Sequence, residues 1–160
     1  MEQAIADPTT WDYIVKFFNY VLTLNLRAVL VSAVAAMFIG ALWYGPVFGK
    51  LWMKLMGIDK KKMDKMMKGG IPMWLSYVLM FIGSLFTALV LALILDGLGA
   101  ITIIQGLVVT FLLWIGFVMP ITLGSVLWEG KSFKLFFLNN AYNILNMFVM
   151  AIILVSLVKA

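Results

Sequence analysis

The sequence predicts an all-α polytopic membrane protein, with four transmembrane helices preceded by a short N-terminal amphipathic helix lying in the interface. Three observations carry that prediction. Hydrophobic residues make up 64% of the 160-residue chain and charged residues only 12%, against roughly 45–50% and about 25% in an average soluble domain. The apolar residues gather into four long stretches, each sufficient for a bilayer-spanning helix of ~20 residues. The cations, finally, concentrate between the first and second stretches and between the third and fourth.

The chain has no Cys and no His, so it lacks the thiolate nucleophile, the usual general base near neutral pH and the commonest metal ligands. Disulfides, iron–sulfur clusters, His-ligated haem and tetrahedral zinc are excluded on that basis, and no cofactor is expected. The formal charge of +5 rests on Lys, which outnumbers Arg eleven to one. Its placement beside the apolar stretches points to lipid headgroups and not to nucleic acid.

The elements follow in order. Residues 1–23 form an external segment in which Trp11, Ile14, Val15, Phe18, Val21 and Leu22 recur at helical spacing after an Asp7-Pro8 start signal. A straight helix from Trp11 to Tyr44 would measure ~51 Å, so a bend near Thr23 to Asn25 is expected, with the preceding helix on the membrane surface. Glu2, Asp7 and Asp12, with no cation before Lys16, have the wrong sign for a signal peptide, and the segment is expected to be retained.

The transmembrane domain, residues 24–158, is read as spans at about 24–44, 71–95, 101–128 and 136–158. The third stretch, Ile101 to Trp128, is 28 uncharged residues, ~42 Å as a straight helix against a ~30 Å hydrocarbon core. It must tilt, bend or run into the interface. Pro120 supplies a bend, because it removes one backbone donor and crowds the carbonyl one turn earlier.

Lys50, Lys54, Lys60, Lys61, Lys62, Lys65 and Lys68 lie in the basic loop 45–70, and Lys131 and Lys134 lie between spans three and four. Nine of the twelve cations thus occupy loops that an even-numbered topology puts on one side. Cations in short loops resist translocation, so both loops are expected in the cytoplasm and both termini outside, as in a multi-pass protein of the cytoplasmic membrane.

The stretch Asn25 to Gly57 reads NLRAVLVSAVAAMFIGALWYGPVFGKLWMKLMG. Its element Gly40, Trp43, Tyr44, Gly45, Pro46, followed by Phe48, Gly49, Lys50 and Trp52, resembles the signature of a family of small integral membrane proteins, domain-of-unknown-function family 1761. The resemblance extends more loosely through Leu127-Trp128-Glu129-Gly130-Lys131 and the final span. It implies a four-helix membrane domain with no established activity.

Leu42 to Trp52 and Leu127 to Phe136 share Leu, Trp, Gly, Phe, Lys, Leu and a final aromatic. Two readings stand. One is duplication of a two-helix unit, giving parallel repeats about an axis along the membrane normal. The other is convergence, since any helix end in the cytoplasmic leaflet favours Trp, Gly and Lys.

Ser32, Ala36 and Gly40 recur every four residues, the spacing that lets two helix backbones approach closely. The neighbour across that face is either another span or a second copy of the chain. Asn139, Asn143 and Asn146 fall at i, i+4 and i+7 of span four, with Asn140 and Tyr142 adjoining. A carboxamide facing hydrocarbon without a partner costs several kcal/mol, so this stripe must point inward. Ser76, Tyr77, Ser84 and Thr87 of span two, and Thr122, Ser125 and Glu129 of span three, are the expected partners. They make either a cytoplasm-facing polar cavity or interhelical hydrogen bonds. Glu129 marks a cation path if it points into the bundle and an interface ion pair with Lys131 or Lys134 if it points out.

Arg27 is placed to pair with Asp96 across the external face. The run Lys60 to Lys68 carries Met63, Met66 and Met67 at one helical spacing, read either as an amphipathic helix on anionic lipid or as a soft Cu(I) site. No other metal site is expected.

Functionally, the sequence points first to a non-enzymatic binding, assembly or scaffold component in the bilayer, a homo-oligomer through its small-residue face. Second comes a small transporter or channel subunit whose asparagine stripe and Glu129 line a cavity. An enzyme comes third, resting on Ser125 with Lys131 as nucleophile and base, since phosphate loops, metal motifs and triads are missing.

Overall fold

The computed structural model describes residues 10–59 and 70–158. Helix α1, Thr10–Thr23, comes first. The chain turns at Leu24 and Asn25, and α2 runs Leu26–Leu42 into a wide π turn at Trp43–Val47 and a short helix α3, Gly49–Leu55. The second span is α4, Met73–Gly97. The third is α5, Ile103–Leu113, a second π turn at Trp114–Val118, and α6, Met119–Leu127. The fourth is α7, Phe133–Val158. No strand occurs among the described residues.

Among the described residues, four helical stretches are long and apolar enough to cross a membrane: Leu26–Val47, Met73–Gly97, Ile103–Leu127 and Phe133–Leu157. Each lies within three residues of its expected position. The basic loop is helical at its start, because α3 continues the chain past the Gly45-Pro46 break. The run Lys60 to Lys68 and the Asp7-Pro8 start signal lie outside the described residues.

Local chemistry explains the boundaries. Asn25 caps α2, its Oδ1 accepting the Ala28 N–H at 3.2 Å, while its Nδ2 donates to the Leu157 carbonyl at 2.9 Å. One side chain thus starts the first span and ties it to the end of the fourth. Thr102 and Gln105 form a reciprocal capping box that starts α5. Gly99 and Gly130 close the turns after the second and third spans with φ of +63° and +67°, a region other residues enter at a cost.

The bend expected from Pro120 is a π turn. Pro120 sits at the start of α6, and in the turn before it the Met119 N–H reaches back five residues to the Trp114 carbonyl. The first span breaks by the same device: Pro46 lies in the turn, Gly45 is non-helical at φ −99°, ψ −107°, and the Phe48 N–H bonds the Trp43 carbonyl at 2.8 Å. The segments Leu42 to Trp52 and Leu127 to Phe136, alike in sequence, differ in local structure. The first holds this π turn, whereas the second ends a helix at Gly130 before α7 begins.

α2 packs between α4 and α7, and α5 and α6 pack on α7. Contact between α4 and the third span is slight. Ser32 and Ala36 are buried against these neighbours, with Ala28, Ala88, Ala92 and Ala151 making the other close approaches. Gly40 makes room for Tyr142, whose Oη would lie 3.0 Å from an added Cβ. The small-residue face is therefore used inside the chain, letting dispersion act where lipid removes any hydrophobic drive between helices. Gly106 and Thr110 do the same for α5: a Cβ on Gly106 would meet Val155 at 2.9 Å, and Thr110 is wholly buried with its hydroxyl on the Gly106 carbonyl.

Candidate functional site

The asparagine stripe of α7 is divided among three neighbours. At its start Asn139 Oδ1 accepts a 3.1 Å bond from the Tyr44 hydroxyl of the first span. Asn140, only 3% exposed, faces the third span, where its Nδ2 donates to Thr122 Oγ1 at 3.0 Å and to its own helix at Phe136 O. These two amides join helices. Asn143 and Asn146 turn elsewhere, into the gap that the weak contact between α4 and the third span leaves open.

That gap is a cleft floored by α7. One part, about 350 Å³, is lined by Ser84 and Thr87 of α4, Val118 of the π turn, and Tyr142, Asn143 and Asn146. A second part, about 520 Å³, shares Thr87, Val118 and Met147 with it and is otherwise apolar, with Phe86, Val90 and Phe117 at its walls. Asn143 and Asn146 lie ~15 and ~20 Å along α7 from Phe133, which puts them midway through a ~30 Å core. The cleft therefore opens sideways between two spans at mid-depth, and not at the basic end.

Its polar groups are only partly satisfied. Asn146 Nδ2 donates to Tyr142 Oη at 3.3 Å, but Asn146 Oδ1 is buried with no donor. The Asn143 amide makes no hydrogen bond to another described residue. Thr87 donates to Gly83 of its own helix at 3.0 Å, leaving its oxygen free to accept. No carboxylate, lysine or arginine lines either part.

Other expected residues are elsewhere. The Ser125 hydroxyl donates to Thr122 O within its own helix at 2.8 Å, and Lys131 pairs with Glu129 at 2.7 Å, both side chains exposed. Glu129 is thus an interface ion pair outside the cleft, and the nucleophile–base pair of Ser125 with Lys131 is not formed. Ser76 and Tyr77 face outward from α4. The Asp96 carboxylate accepts a 2.5 Å bond from Tyr20 of α1, which takes the place expected for Arg27. That bond, together with partial desolvation and the nearby negative charge, holds the Tyr20 phenol above its ordinary value of 10.

The motif Gly40 to Trp52 builds a joint between the first span and α7. Trp43 stacks on Phe48 at 4.5 Å and approaches Tyr142 at 6.2 Å. Tyr44 meets Trp52 and Tyr142 edge-on at 5.7 and 4.9 Å. Gly49 is required because a Cβ there would lie 2.5 Å from the Tyr44 carbonyl oxygen. Lys50 stays exposed at the same end as Lys131 and Lys134. Thr122, one of the partners expected for the stripe, meets Asn140, while two contacts escaped the sequence: Tyr44 with Asn139 and Gly106 with Val155. Only the last left a signal, since Gly106 and Thr110 repeat the four-residue interval of small side chains seen in α2.

Fold and site together define a multi-pass helical membrane protein with an uncharged, laterally open cleft. The chain belongs to the family DUF1761, described as proteins of unknown function, whose sequence profile matches residues 27–155. No curated protein and no solved structure shows a significant match.

Proposed function

We propose that the protein acts without catalysis, as a binding component of the membrane whose working surface is the lateral cleft between α4 and the third span. The observation that carries this reading is the pair of incompletely bonded amides, Asn143 and Asn146, set at mid-depth in a cleft of several hundred Å³. An unpaired amide in hydrocarbon costs several kcal/mol. Apolar walls with a few convergent polar groups are the usual form of a ligand site between helices.

The basic end, with Lys50, Lys54, Lys131 and Lys134, is assigned to the cytoplasm, where these cations meet anionic headgroups, and both termini to the outside. The exposed aromatics Trp11, Phe17 and Phe18 support the reading of α1 as a helix of the outer interface. The small-residue faces support assembly within one chain, so a homo-oligomer would have to form through other surfaces.

The test is site-specific photo-crosslinking in intact membranes. A benzophenone residue at Val90, in the cleft, should yield a discrete adduct. The same residue at Phe38, which faces outward from α2, should yield bulk lipid only. Identical products from both positions would refute the reading. Mid-depth polar sites also occur in transporters, so a second reading is transport: purified protein in liposomes would then move solute, and Asn143→Leu would stop it.

A further inference from the structure

We infer that the cleft takes an uncharged, lipid-soluble molecule with a long apolar body and a hydroxyl-type hydrogen-bonding end. The inference rests on the binding reading above and names its ligand class. Three features of the cleft specify that class.

The first is charge. No carboxylate, lysine or arginine lines either part, the Tyr142 phenol being the one weak acid there, and a charged group brought to this depth would meet no counter-ion, which penalises it heavily. An ionised headgroup is thereby excluded, while a neutral one is compensated by amides. The second is the pattern of donors and acceptors. Asn146 Oδ1 is buried and lacks a donor, Thr87 Oγ1 has lone pairs to spare, and Asn143 offers both functions. A group that both donates and accepts, such as an alcohol, completes this set, whereas a hydrocarbon leaves Asn146 unsatisfied.

The third feature is shape. The polar part, about 350 Å³, runs through Thr87, Val118 and Met147 into the apolar part of about 520 Å³. Both volumes lie within the roughly 300–1,000 Å³ that hold small ligands. The hydroxyl would lie against Asn143 and Asn146, and the chain would run between Phe86, Val90 and Phe117 toward the end where the second span finishes. Entry is sideways from the bilayer. The π turn at Trp114–Val118 lies in that wall, and such turns recur at functional sites.

The experiment uses the full chain in phospholipid nanodiscs with a diazirine-bearing hexadecanol as probe. Labelling should saturate, map to α4 and the third span, and be competed by unlabelled hexadecanol but not by hexadecyl phosphate. Asn143→Leu should weaken it at least tenfold. Thr87→Phe fills the cleft from an exposed position whose hydroxyl bonds only its own helix, so it should abolish labelling while helix content and elution in detergent stay unchanged. Labelling that does not saturate, equal competition by the phosphate, or undiminished labelling of Thr87→Phe would overturn the inference. If the photo-crosslink at Val90 instead captures a polypeptide, the binding reading survives and the alcohol does not.

Discussion

The two interhelical regions of this protein are built on opposite principles. The seam where α2 meets α4 and α7 sets Ala28, Ser32, Ala36, Ala88 and Ala92 among larger buried side chains such as Leu91 and Leu154, and there Ser32 and Ala88 are wholly buried. The cleft between α4 and the third span is lined by larger side chains that do not interlock. In the first and fourth spans 28% of the apolar window is buried, in the third only 11%. Small residues shorten the distance at which dispersion acts, and in a bilayer that contact is the main source of cohesion. Where Phe86, Phe117 and Val90 stand instead, the helices leave a cleft. Polar residues show the same division: Asn139 and Asn140 are bonded across helices, whereas Asn143 and Asn146 are left with spare capacity.

Enlarging a small residue where α5 packs closely on α7, as α2 does, should break that contrast most severely. Gly106→Leu drives a side chain into Val155, which an added Cβ alone would already meet at 2.9 Å. The expected loss is about 1–3 kcal/mol, read as a lower Tm in detergent. A Tm within error of the parent would show that the α5–α7 contact is not tight. Asn140→Leu should cost less, about 0.6–1.7 kcal/mol, because it removes one interhelical bond while Thr122 keeps its bonds to Val118 O and Met119 O.

Asn143→Leu sharpens the comparison from the other side. With no hydrogen bond to another described residue to lose, and an unpaired amide removed from hydrocarbon, it should leave stability unchanged or raise it. A drop as large as that of Asn140→Leu would mean that the cleft closes on Asn143.

The smallest effect concerns α1, held to the end of α4 by Tyr20 and Asp96. The neutral phenol is the form that donates, and its folded pKa is raised above 10. Its contribution is therefore complete below pH 10 and is lost as pH rises through the higher folded value. Spin labels at Phe17 and Leu98 should keep a narrow distance distribution from pH 7 to 9 and broaden above pH ~10. Tyr20→Phe should be broad throughout. A distribution that ignores both pH and Tyr20→Phe would remove this contact from the account.

The four spans, the small-residue face of α2 and the break near Pro120 were legible because each depends on neighbours along the chain: hydropathy over ~20 residues, a four-residue interval, a missing N–H. The candidate site was legible only as a list. Ser84, Thr87, Asn143, Asn146 and Tyr142 line one cleft, while Ser125 and Glu129, equally polar and at a similar register, turn back on their own segment. Nothing in spacing separates these cases. An asparagine pointing inward reads the same whether a threonine or a void stands opposite.

Composition and periodicity by themselves determined that this chain has four helices able to cross a membrane, because backbone groups in hydrocarbon must bond within their own helix. Only the tertiary structure decided which polar side chains are joined and which are left free. That outcome depends on how closely two distant spans approach, and the approach is set by the bulk of side chains on both faces at once. Small side chains let the first span close on its neighbours, and the cleft beside Phe86 and Phe117 stayed open.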